Sequence, residues 1–173
     1  MKYTALISLL LVVSLHAGAD TPWEQYFADP TPAHAALVGS IAYSPGRLPP
    51  NYGYDPQHLQ VLETQVVAGD RDAFRLVNRA MASADGALLE QLTVIASRIT
   101  RGHPELFLGE AAQLGLSSHR LEDILLTTGP EYTDLPVAHR YELQMRQKAL
   151  ASVSRADLNT IKGRCIEILS HGT

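Results

Sequence analysis

Several groups of side chains in this chain have types and spacings that chemistry could use. His119, Glu122 and Asp123 fall three and four residues apart, and His139 with Glu142 repeats the three-residue offset. On a helix those offsets bring side chains to one face, so either group looks like part of a metal site. A di-metal helical bundle, however, wants glutamate followed three residues later by histidine, with further carboxylates facing inward. Here the order is reversed and the nearby sequence supplies no further ligand. Both pairs are therefore expected to be solvated side chains on helix surfaces, with no metal. Ser40 sits in Val38, Gly39, Ser40, Ile41, Ala42, which lacks the glycine spacing of a nucleophile elbow. No catalytic residue is assigned, and no stretch calls for a cofactor.

Arg71, Arg75 and Arg79 recur every four residues and must line one face of a helix, turned away from the apolar Phe74, Val77 and Met81. Such a stripe can grip a carboxylate or phosphate. The plainer expectation is a solvated face, with Asp72 near Arg75 and acids on neighbouring helices as partners.

Binding chemistry is richest where helix formation is poorest. From Tyr43 to Tyr54 the chain reads Tyr-Ser-Pro-Gly-Arg-Leu-Pro-Pro-Asn-Tyr-Gly-Tyr, holding three of its seven tyrosines. Proline and glycine make this a loop or strap. Tyrosine offers apolar area and a hydroxyl at low entropic cost, so Tyr43, Arg47, Tyr52 and Tyr54 are the candidate binding residues. Tyr132, in the similar loop from Gly129 to Asp134, joins them if the fold brings the two loops together.

The first residues carry a different message. Lys2 is followed by an uncharged apolar run from Ala5 to Leu15, then His16, Ala17, Gly18 and Ala19. A basic start, an apolar stretch of about 7 to 15 residues and a small-x-small exit describe a secretory signal peptide. Cleavage is predicted between Ala19 and Asp20. A membrane span needs about 20 apolar residues, and neither this run nor any later one reaches that length. The mature chain is expected to be soluble, periplasmic or secreted. Its single cysteine, Cys165, stands far from the leader, which excludes lipid anchoring there and any internal disulfide. Cys165 falls on the apolar stripe Leu158, Ile161, Cys165, Ile168, Leu169, where burial is the usual fate of a free thiol.

Removing residues 1–19 from 173 leaves 154, enough for one domain with a full core and no staples. The formal charge is -4 and becomes -5 once Lys2 leaves. That balance argues against nucleic acid as a partner, since phosphate neutralisation needs a basic face.

Helix punctuation recurs between these features. Thr21, Pro22 and Glu24 supply an N-cap, a first-turn proline and a capping-box carboxylate. Thr31 with Pro32 and Asp55 with Pro56 repeat the device. Gly69, Gly102 and Gly115 follow apolar-periodic runs, where helices often end in the left-handed conformation. Apolar faces repeat at helical spacing in Phe74, Val77, Ala80, Met81, in Leu88, Leu92, Ile95, Ala96, Ile99 and in Ala138, Tyr141, Met145, Ala149. Seven to nine helices are predicted, at 22–28, 32–39, 56–68, 71–83, 87–101, 104–114, 119–127, 135–152 and 155–169. Short connections after Asp55 make neighbours antiparallel. The expected fold is all-α, an irregular bundle or a short stack of antiparallel helical hairpins.

The run Gly69, Asp70, Arg71, Asp72, Ala73, Phe74 resembles a helix entry in tetratricopeptide-like or HEAT-like arrays, over residues 56–115, although no fixed period repeats. The chain also resembles small exported proteins of Gram-negative bacteria, a likeness that implies no activity. Hairpin stacks present grooves to peptides, so the expected function is a non-enzymatic protein- or peptide-interaction module. The alternatives are a periplasmic immunity or inhibitor protein acting on an exported toxin or hydrolase, and a cell-wall enzyme using a buried carboxylate.

Overall fold

The computed structural model describes residues 21–40, apart from the Ser40 side chain, and residues 56–172. The leader with its Ala19 and Asp20 cleavage site, the Asp55 cap, and Tyr43, Arg47, Tyr52 and Tyr54 lie outside the described residues. Among the described residues there are nine α-helices and no strand. They are α1 (Pro22–Ala28), α2 (Pro32–Ser40), α3 (Pro56–Val67), α4 (Arg71–Met81), α5 (Gly86–Gly102), α6 (Pro104–Gln113), α7 (Ser118–Leu126), α8 (Pro136–Ala151) and α9 (Asn159–Gly172). Two single 3-10 turns, Pro130–Tyr132 and Ala156–Leu158, precede α8 and α9. The second accounts for α9 starting later than its periodicity predicts. Among the described residues no helix is long and apolar enough to cross a membrane.

Local chemistry sets these boundaries. The Thr21 hydroxyl accepts from the Glu24 amide at 3.3 Å while the Glu24 carboxylate accepts from the Thr21 amide at 2.6 Å, a complete capping box. Gly69 ends α3 in the left-handed region at φ 81°. There the Asp70 amide returns to the Gln65 carbonyl and the Gly69 amide to Val66, closing a Schellman motif. Asp70 at once caps α4 through the Ala73 amide at 2.7 Å, worth about 1 kcal/mol. Gly69 is also required by space, because a Cβ there would lie 2.7 Å from the His103 ring. Gly102 departs from expectation. It is the last residue of α5 and is not among the positive-φ glycines, since His103, held by the Ile99 carbonyl, terminates the helix instead.

The helices pack as hairpins stacked in two layers. The odd-numbered helices α3, α5, α7 and α9 lie side by side in sequence order, as do the even-numbered α2, α4, α6 and α8, while most chain neighbours, though not α2 with α3 or α6 with α7, pack closely across the layers. Helix α5 is the axis of the stack, touching α3, α4, α6, α7 and α8. Its predicted stripe Leu88, Leu92, Ile95, Ala96, Ile99 is buried, as is Phe74, Val77, Ala80, Met81 on α4. Buried residues form one cluster from Trp23 to Leu169. Trp23 closes its N-terminal end, stacked on Phe27 at 5.2 Å, and Phe27 in turn stacks on His58 of α3 at 3.9 Å. Cys165 is fully buried, and burial pushes its thiol pKa up to about 12.

Helix α8 overturns an expected face. Tyr141 is 57% exposed and Ala138, Met145 and Ala149 are only half-buried. The buried stripe is instead Glu142, Leu143, Arg146 and Leu150. Glu142 is therefore not the solvated partner of His139. It is held inside by cations, and the pattern of apolar residues alone misplaced the helix by about a third of a turn.

Candidate functional site

A groove of about 540 Å³ runs along the odd-numbered layer between α3 and α5. Helix α3 contributes Pro56, Leu59, Gln60 and Glu63, helix α5 contributes Ala87, Glu90, Gln91, Val94 and Ile95, and Thr128, Pro130 and Thr133 form the third wall. Residues 87, 90, 91, 94 and 95 follow the three-and-four spacing of one helix face, on the side of α5 adjacent to its buried stripe. The floor is apolar, with Ile95 buried and Leu59 and Val94 half-buried. The rim is polar. Gln60, Glu90, Gln91, Thr128 and Thr133 make no side-chain hydrogen bond or ion pair among the described residues. Two amides, two hydroxyls and a carboxylate around an apolar floor suit a ligand that carries both apolar side chains and backbone-like polar groups.

Arg98 braces the groove from outside its lining. Its Nε donates to Glu63 Oε1 of α3 at 3.3 Å, and its Nη1 donates to Glu131 Oε1 on the Pro130–Tyr132 turn. The Arg98 hydrogen bond is the main cause that lowers the Glu131 pKa below its ordinary value, and the Glu131 hydrogen bond raises that of Arg98. Gly129 makes this crossing possible. Its φ of -71° would suit any residue, but a Cβ there would lie 2.0 Å from Glu131 Oε2 and 2.6 Å from Arg98 Nη2.

The wall residues are in turn positioned by Arg146, buried beneath them with 1% of its side chain exposed. Its Nη1 donates to the carbonyls of Leu125 at 3.0 Å and Thr127 at 2.7 Å, the last carbonyls of α7 and its C-cap. This satisfies orphan acceptors at a helix end with a cation, the sign the helix dipole favours there. Nε donates to Glu142 Oε1 at 3.1 Å and Nη2 reaches Ser97 Oγ on α5 at 3.4 Å. Burial lowers the Arg146 pKa, and the Glu142 hydrogen bond opposes that shift. Glu142 completes the group by accepting from Arg101 Nη1 at 2.8 Å. One guanidinium thus ties α5, α7 and α8 together directly below the turn that walls the groove.

On the even-numbered layer, a cleft of about 710 Å³ lies among α2, α4 and the end of α6. Its cations are spent within the protein. Arg75 pairs with Glu110 and donates to Gln113 Oε1 at 2.8 Å, and Arg79 donates to the Gly39 carbonyl. Arg71 also pairs with Glu110, at 3.0 Å. The arginine stripe does grip a carboxylate, but it is the chain's own Glu110 on α6.

The sequence-predicted residues fall as follows. Tyr132 is half-buried on the Pro130–Tyr132 turn and close enough to Arg146 to interact with its charge, whereas Pro130 and Thr133 are that segment's groove-lining residues. His119 Nε2 lies 3.8 Å from a carboxylate oxygen of the half-buried Asp123, and no group of three metal-capable side chains converges among the described residues. Sequence reasoning missed the groove and Arg146 alike. The three-and-four spacing of Glu90, Gln91 and Val94 was available as a signal, but only the fold sets that face beside α3. Compared with protein-family models, with curated proteins and with solved structures, the chain matches none.

Proposed function

We propose that this chain is an exported, non-enzymatic interaction module that binds a peptide or a protein segment in the groove between α3 and α5. The observation that carries this reading is the pairing of an apolar floor with a rim of polar side chains that the fold leaves unengaged. Stacked hairpins commonly use such faces for binding. The buried carboxylates point away from catalysis. Glu110 and Glu142 are committed to the chain's own guanidiniums and line neither groove, so neither is placed to deliver a proton to a bound molecule.

Panning a peptide library against the chain lacking residues 1–19 tests the binding claim, with hits measured by calorimetry. Saturable binding that Val94→Trp abolishes, in a variant of unchanged circular dichroism, is the expected result. Hits indifferent to Val94→Trp would place recognition elsewhere. Export rests on the leader sequence. Expression of the full chain in a Gram-negative host should yield a periplasmic product whose N-terminus is Asp20, and an intact N-terminus in the membrane fraction would refute it.

A further inference from the structure

We infer that the occupant of the α3/α5 groove is an extended, cationic peptide segment, about four residues long, with a lysine or arginine next to an apolar residue. This rests on the binding reading above and adds the chemistry of the partner. Two carboxylates, Glu63 and Glu90, line the groove, and a third, Glu131, follows the lining residue Pro130. Arg98 is already shared between Glu63 and Glu131, and Glu90 has no ion-pair partner among the described residues. The rim is therefore negative, with Glu90 as its open charge.

Geometry sets the length and the pattern. Along α5 the groove runs from Ala87 to Ile95, which is about 12 Å at 1.5 Å per residue. An extended chain covers that in about four residues. Side chains of such a segment alternate between opposite faces. One residue of a neighbouring pair then faces the floor of Leu59, Val94 and Ile95, and the other points out of the groove, where a long cationic side chain can bend back to the exposed Glu90. The floor selects an apolar side chain, and Glu90 selects a cation beside it. Gln60 and Gln91 each offer a donor and an acceptor, which matches the peptide groups between them.

Three labelled, end-blocked hexapeptides test this by fluorescence polarisation against the chain lacking residues 1–19. Each alternates leucine with lysine, with glutamine or with glutamate. The lysine peptide should bind saturably and about tenfold more tightly than the glutamine peptide, with the glutamate peptide weakest. The gap should narrow in salt as screening predicts. Glu90→Gln, an exposed position, should remove most of the gap between the lysine and glutamine peptides. Equal binding of the lysine and glutamine peptides, abolished by Val94→Trp, would overturn the charge preference and leave the groove reading standing. Binding of none of the three, or binding untouched by Val94→Trp, would overturn both.

Discussion

Two carboxylates in this molecule are each held between two arginines, yet they differ in which partner water can reach. At the α4/α6 contact the buried member is the acid. Glu110 has 3% of its side chain exposed, while Arg71 and Arg75 keep 61% and 35% in solvent. At the α5/α8 contact an acid and a base are buried together, Arg146 with 1% and Glu142 with 10% of its side chain exposed, while Arg101 keeps 48% in solvent. The first clamp closes from outside onto a neighbouring helix. The second is part of the interior and also serves the carbonyls at the end of α7. Similar residue types at a helix contact thus perform two jobs, and the energetic consequences separate them.

Arg146→Ala is the largest test of that contrast. It leaves Glu142 and the α7 carbonyls without their buried donor, and should cost about 3–5 kcal/mol in urea unfolding. Glu110→Ala comes second, at about 1.5–3 kcal/mol for charge-assisted hydrogen bonds, because the two arginines it releases can rehydrate. If the two variants lost the same stability, the distinction between an inner and an outer clamp would be gone. A third measurement concerns the brace beside the groove. Arg98 depresses the Glu131 pKa, so this pair's contribution is full above the unfolded carboxylate range and is lost as pH falls through the lower folded value. Arg98→Gln should lower stability near neutrality and converge with the parent at acid pH, flattening the acid limb of the profile, and an unchanged acid limb would mean that the pair adds nothing. The smallest effect belongs to Arg71→Ala. Most of Arg71 is solvated, so the loss should stay below about 1 kcal/mol in the same unfolding assay.

The same pair of sites shows what could be read from the chain alone. The four-residue spacing of Arg71, Arg75 and Arg79 announced a charged face, and acids on neighbouring helices were the expected partners. Arg146 gave no such notice. With Glu142 four residues before it, it looks like an ordinary surface pair; only the end of α7, some twenty residues upstream, makes it an interior group. Helix positions were legible because caps, prolines and periodicity are local. The groove was not, because Leu59 and Val94 lie 35 residues apart in the chain and become neighbours only through the stacking of α3 on α5. Composition drew attention to the tyrosines from Tyr43 to Tyr54 instead, a reading that the described residues do not reach.

Gly129 carries a consequence for how the groove can change over generations. Its bare α-carbon is the surface on which Arg98 and Glu131 meet, so any side chain there must push the pair aside. The backbone would accept the newcomer, and the exposed ion pair would cost little to lose. The fold would therefore survive while the Arg98–Glu131 contact beside the groove wall shifted. If the groove binds a peptide as proposed, a side chain at 129 changes what it recognises without endangering the scaffold.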